Sequence, residues 1–255
     1  MTDKRMDIVK PVLVLGSAPN VLACKSLPKS LFSSIVAINN AWQVREDWDY
    51  HIAPDDFPLE RMPQNVRDNQ TLVRSDEYVP ANNAFGGIIY AGATMAFSTG
   101  YWVLSALKPP AMVFFGCDMV YQTQGNGHFY GSGTADPLRD DVTLRNLEAK
   151  SARLMLLAAK QDCACLRSPN RDSRLVFPIA DVSEQGYTDI TPPVPDVTTF
   201  RMAKNREAEL GYFVESGRYW ESDVAILAKE VDLLDQLWIG ASLRCRTTGI
   251  DRLAF

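Results

Sequence analysis

Short apolar runs recur along the chain, each closed by a turn signal and each followed by enough residues for a crossover. Pro11-Val12-Leu13-Val14-Leu15-Gly16 predicts a buried strand over 12–15. Ser34-Ile35-Val36-Ala37-Ile38 predicts a second strand, closed by Asn39-Asn40. Residues 48–53 predict a third, closed by Pro54-Asp55-Asp56, and Thr71-Leu72-Val73 a short fourth. Ala111-Met112-Val113-Phe114-Phe115 is wholly apolar and ends at Gly116-Cys117-Asp118. Residues 163–166 predict a further strand, closed by Arg167-Ser168-Pro169-Asn170.

Helical spacing alternates with these runs. Residues 101–107 read as a helix stopped by Pro109-Pro110, with Ser98 or Thr99 as its N-cap. Residues 142–160 read as an amphipathic helix, with Leu144, Leu147, Leu154, Met155 and Ala158 on one face. Residues 86–92 read as a loop that crosses the site, and 121–141 as a long, polar, glycine-rich loop. The stretch 177–200, with Pro192-Pro193 and Pro195, reads as a linker or covering segment. Beyond it, Val224, Leu227, Val231, Leu234 and Trp238 recur three and four apart and predict a helix over 221–238. That helix either packs on its own domain or joins two copies as a homo-oligomer.

Strand–helix alternation of this kind defines an α/β chain with a doubly wound, mostly parallel sheet and a C-terminal helical segment. The expected division is 1–176 for the ligand-binding domain and 177–255 for the linker and helical extension. Ligands in such sheets sit beyond the carboxyl ends of the strands. Here those ends are Gly16-Ser17, Asn39-Asn40, Pro54-Asp55 and Gly116-Cys117-Asp118, all small or polar.

With 255 residues, 46% hydrophobic and 22% charged, the chain can bury a sizeable core. A net charge of −5 argues against a broad nucleic-acid surface but leaves room for a local phosphate pocket. No apolar run is long enough for a transmembrane segment, and Met1-Thr2-Asp3-Lys4-Arg5 lacks a secretory core, so the expected compartment is cytoplasmic. Five scattered cysteines do not form a disulfide framework. With only two histidines, His51 and His128, the Cys163–x–Cys165 pair lacks the further ligands a zinc site needs, and no metal site is expected.

The candidate chemistry clusters at the strand ends. In Gly16-Ser17-Ala18-Pro19-Asn20, small residues let backbone N–H groups approach a phosphate, although any strand-to-helix turn can carry glycine and proline. Asn40 can donate to and accept from a base or ribose edge, or close an Asx turn. Ser98-Thr99-Gly100 can present hydroxyls and N–H groups to a phosphate, or simply cap a helix. Asp118 can hold ribose hydroxyls or share a metal, and Asp55 and Asp56 can bind a metal, act as a base, or cap a turn. His128, in Gly125-Asn126-Gly127-His128-Phe129-Tyr130-Gly131, is the candidate general base on a candidate lid. His51 lies inside a strand and reads as structural.

Taken together, these pieces resemble the bacterial sialyltransferases that use CMP-sialic acid, a superfamily related to hydroxymethylpterin pyrophosphokinase-like proteins. Residues 12–20 resemble that family's first strand and G-x-G-P-S loop. Asn40, Thr99-Gly100, Phe115-Gly116-Cys117-Asp118, His128-Phe129-Tyr130-Gly131 and 165–170 resemble five further motifs, so the match covers about residues 10–175. The resemblance implies a Rossmann-like fold that binds a cytidine nucleotide through Ser17, Asn40, Thr99, Gly100 and Asp118, with a CMP-sugar donor, a glycan acceptor and no obligatory cofactor. Ala18, Ala53 and Ser132 depart from the family pattern, and Ser132 stands where the family carries its catalytic histidine. Three functions therefore stand open. They are sugar transfer with His128 as base, Mg²⁺-dependent pyrophosphate transfer or hydrolysis using Asp55, Asp56 or Asp118, and nucleotide binding without catalysis.

Overall fold

A computed structural model describes residues 10–120, 127–131, 141–169, 172–180, 182–183, 186–187 and 190–250. Six parallel strands form one sheet: β1 (Val12–Leu15), β2 (Ser34–Ile38), β3 (Tyr50–Ile52), β4 (Thr71–Val73), β5 (Ala111–Phe115) and β6 (Ala164–Arg167). Their order is β4-β3-β2-β1-β5-β6, which is the α/β, Rossmann-like arrangement expected from the sequence. Leu13 lies between Ile35 of β2 and Val113 of β5. A small hairpin, β7 (Val182–Ser183) with β8 (Gly186–Tyr187), is separate from this sheet.

Alternation along each strand divides the core in two. Val12, Val14, Val36, Ile38, Met112 and Phe114 enter one apolar cluster, and Leu13, Leu15, Ile35, Ala37, Val113 and Phe115 enter the other. This is the period of two that a pleated strand imposes, with both faces covered. The first face is covered by α-helices: α1 (Ser75–Asn83), α2 (Ile88–Ala91), α3 (Met95–Ala106), α4 (Leu147–Ala159), α5 (Val197–Leu210) and α6 (Ala228–Ile250). The second is covered by 3-10 turns, chiefly Pro19–Ser26, which buries Val21 and Cys24. The chain moves outward from β1 to β4 and then crosses back through α1–α3 to β5, so the order reverses between β1 and β5.

Several local expectations are corrected. Residues 86–92 hold α2 rather than an open loop. The helix after it begins at Met95, and Thr94 caps it by accepting from the Phe97 N–H at 3.2 Å, so neither Ser98 nor Thr99 is the N-cap. Residues 142–160 divide into a 3-10 turn, Val142–Leu144, and α4, which Asn146 caps. The irregular stretch ends at α5, where Asp196 accepts from the Thr199 N–H at 2.9 Å. The last helix begins at Ala228, not 221; Tyr219–Glu221 is a 3-10 turn, and Val224 and Leu227 precede the helix.

Val231, Leu234 and Trp238 are buried against the chain itself. Lys150 of α4 donates to Asp235 of α6 at 2.8 Å, with both side chains enclosed. Glu207 of α5 accepts from Arg153 of α4 at 2.6 Å and from the Trp238 indole at 3.0 Å. Burial alone would raise the Glu207 carboxyl, but Arg153 and Lys204 outweigh it and hold the pKa below the ordinary range. Phe177 packs on Phe114 at 5.2 Å, and the Ala180 N–H donates to the Arg167 carbonyl, so 177–180 runs beside β6. Among the described residues no helix is long and apolar enough to cross a membrane. Cys24, Cys117, Cys163 and Cys165 are buried free thiols.

Candidate functional site

A cleft of about 1160 Å³ opens beyond the carboxyl ends of β1, β2, β3 and β5. It includes the place where the strand order reverses, which is where open α/β sheets hold their ligands. Its inner end is built on Gly16 and Gly116, the residues that follow β1 and β5. The Gly16 N–H donates to the Phe115 carbonyl at 2.7 Å, and the Ala18 N–H donates to the Gly116 carbonyl at 2.9 Å. A Cβ on Gly16 would stand 2.3 Å from the Gly116 oxygen, so only glycine allows the two loops to touch. Gly116 also has φ +69°, and a Cβ there would meet Val21 at 2.7 Å.

His128 is seated on this junction. Its Nδ1 lies 2.9 Å from Ser17 Oγ, and the Phe129 N–H donates to the Ser17 carbonyl at 2.9 Å. Its ring stacks on Tyr130 with centroids 5.0 Å apart and planes 3° from parallel. The side chain is 7% exposed, and burial pushes its pKa below that of free imidazole, opposed by hydrogen bonding at Ser17. The ring is therefore neutral near pH 7. With Nδ1 held by Ser17, Nε2 is the nitrogen left for a ligand.

Asn40 is buried and lines the cleft beside Asn39. Asn39 adopts a left-handed φ of 51°, and its carbonyl lies 2.8 Å from His51 Nε2. Burial lowers the pKa of His51 to about 4, so it is neutral and donates to that carbonyl. His51 thus holds the Asn39-Asn40 corner from beneath, as a structural residue. The N-terminus of α3 also reaches the cleft through Ala93, Thr94, Met95 and Ala96. Its first N–H groups and its dipole favour an anion there.

Of the residues singled out from the sequence, Gly16, Ser17, Asn40, Ser98 and His128 come together around the cleft. Asn20, Thr99, Gly100 and Asp118 are not among the cleft-lining residues. Asn20 donates to Ser168 Oγ at 3.0 Å and ties the β1 loop to the end of β6. Thr99 is fully buried, and its Oγ1 is without a hydrogen-bond partner. A Cβ on Gly100 would stand 2.6 Å from Leu154, so this glycine serves helix packing. Asp118 is buried and is not among the cleft-lining residues; its carbonyl accepts from the Arg174 N–H. The physical reason is helical phase. Residues 98–100 lie inside α3, about 100° apart, and its packing presents Ser98 to the cleft and Thr99 and Gly100 to the core.

Gly125, Asn126 and Ser132 lie outside the described residues. Among the described residues no group of three or more His, Cys, Asp or Glu is placed to hold a metal ion. Asp55 and Asp56 line the cleft, and Ser75 donates to Asp55 at 2.7 Å.

Sequence reasoning missed the outer rim. Arg61, Tyr78, Arg218, Trp220 and Glu221 line it, and three of them belong to the C-terminal segment. The cluster Arg218-Tyr219-Trp220-Glu221, charged and aromatic in a turn, was the available signal.

The fold defines an α/β protein with an open cleft at the switch point of its sheet. No family model matches the chain, and no curated protein or solved structure proves similar to it.

Proposed function

We propose that the cleft binds a nucleotide sugar, with a CMP-linked donor, and that the protein transfers the sugar to a hydroxyl of a glycan acceptor. The observation that carries this reading is the Ser17–His128 pair, 2.9 Å apart, on the glycine junction beside the α3 N-terminus. A phosphate suits the N–H groups and dipole at that end. Ser17 holds His128 Nδ1, so Nε2 takes the acceptor proton when Nδ1–H donates to Ser17 Oγ. In the step itself the acceptor oxygen bonds to the anomeric carbon, the anomeric carbon–phosphate oxygen bond breaks, and CMP leaves with that electron pair. The hydroxyl proton passes to His128.

The test is incubation with CMP-sialic acid and a panel of other nucleotide sugars, measuring nucleotide release and glycosylated product. Turnover by the wild type and its loss in His128→Ala supports the reading. Equal turnover by His128→Ala removes that residue from the chemistry. The second reading, Mg²⁺-dependent pyrophosphate transfer or hydrolysis, draws on Asp55 and Asp56 at the cleft wall. Activity abolished by EDTA and restored by Mg²⁺ favours it. CMP binding without turnover of any donor favours a binding protein.

A further inference from the structure

We propose that the outer end of the cleft is a carbohydrate subsite, with Trp220 as the platform for one face of a pyranose ring and Arg218 and Glu221 as partners for its hydroxyls. This rests on reading the cleft as a nucleotide-sugar site, and it assigns the acceptor sugar to particular residues.

The first argument is Trp220 itself. Its indole is 63% exposed although it lines a cleft. The residue before it is an anchor. Tyr219 is buried, its hydroxyl donates to Asp141, and its ring meets Trp220 edge-on at 5.2 Å and 82°. Its turn is fixed from the other side as well. Asn83 Nδ2 donates to the Glu215 carbonyl at 2.7 Å. Gly217, at φ +74°, lies so close to α2 that a Cβ there would meet Ile88 at 2.8 Å. The indole is thus displayed on a fixed support, and an aromatic face of that kind packs against the C–H face of a sugar ring.

The second argument is charge. Among the described residues, the carboxylates lining the cleft are Asp55, Asp56, Asp76 and Glu221, against the guanidinium groups of Arg61 and Arg218. Four negative groups against two positive ones do not suit a phosphate. They do suit neighbouring sugar hydroxyls, which donate to carboxylates and accept from guanidinium N–H groups. Arg218 is only loosely engaged. Its guanidinium lies 3.9 Å from Asp55 and 3.8 Å from Glu221, longer than hydrogen bonds, and it is half exposed. Phosphate and sugar are thereby sorted to opposite ends of one cleft.

The test uses the full chain, with Trp220→Ala and Trp220→Tyr variants. Methyl β-glucoside, methyl β-galactoside, lactose and maltose are titrated by saturation-transfer NMR, and CMP by calorimetry on the same samples. Saturation transfer to at least one sugar, weakened about tenfold or more by Trp220→Ala and restored in part by Trp220→Tyr, supports the subsite. CMP affinity should stay within about twofold of wild type in both variants. Sugar binding that Trp220→Ala leaves unchanged overturns the proposal, as does the absence of any sugar signal up to about 50 mM. Loss of CMP affinity in Trp220→Ala also overturns it, by making the indole a base platform. Sugar binding without CMP binding keeps the subsite and removes the nucleotide reading.

Discussion

Replacing Gly16 by alanine tests the junction on which the cleft is built. The added Cβ would stand 2.3 Å from the Gly116 oxygen, and real Cβ atoms keep at least 3.0 Å, so the loops must part by about 0.7 Å. The obstacle is backbone, which cannot swing aside as a side chain does. Two hydrogen bonds cross the same contact, from Gly16 N–H to Phe115 and from Ala18 N–H to Gly116. Weakening both costs about 1 kcal/mol each, and overpacking adds about 1–3 kcal/mol. The expected loss is therefore about 3–5 kcal/mol of unfolding free energy. Urea unfolding followed by circular dichroism measures it as a lower midpoint at unchanged slope. CMP affinity, measured by calorimetry, should fall as well, because Ser17 and its bond to His128 move with the loop. Gly127→Ala is the control. A Cβ there meets nothing within 4 Å, and stability should change by less than about 0.5 kcal/mol. If Gly16→Ala changes stability as little as Gly127→Ala does, the glycine contact is not what holds the β1 and β5 loops together.

Four further outcomes are expected. His51 has a folded pKa of about 4, below the unfolded value of about 6.5, so its contribution is complete above pH 6.5 and disappears as pH falls toward 4. That contribution is up to about 3 kcal/mol, and it should be missing from the acid stability profile of His51→Gln, so that it appears in the difference from wild type. For His128, whose pKa is also lowered, kcat/KM should fall on the acid side with an apparent pKa below that of free imidazole; an acid limb above 6.5 contradicts the assignment. Thr99→Val should leave CMP affinity unchanged and raise stability by up to about 1 kcal/mol, because the Thr99 hydroxyl is buried without a partner. Glu207→Gln leaves Arg153 buried beside a neutral group and should lower stability by about 3–5 kcal/mol in thermal or urea unfolding.

The sequence by itself determined the sheet. Val12–Leu15, Ser34–Ile38, Thr71–Val73 and Ala111–Phe115 were legible to the residue, because a strand buried on both faces is apolar nearly throughout and bounded by turns, and the edge strand Thr71–Val73 is a short β-branched and apolar run. The strand ends were legible for the same reason, and with them Gly16, Ser17 and Asn40 as parts of one cleft. Helix α5 was less legible. Its caps, Asp196 and Gly211, are ordinary signals, but its buried face includes Glu207, whose charge conceals the apolar stripe until Arg153 is placed against it. Residues 54 apart in the chain make that pair, and no local pattern announces it.

Only the tertiary structure decided the phase of α3. The helix starts at Met95, with Thr99 and Gly100 in the core and Ser98 at the cleft. With Thr94 as the cap, residues 98–100 lie inside the helix and point about 100° apart, so the packing of α3 on the sheet decides which of them meets the cleft. The same holds for the rim. Trp220 lies between the covering stretch 177–200 and the helix expected over 221–238, and it becomes part of the site only because Gly217 and Tyr219 fix that turn against α2 and Asp141.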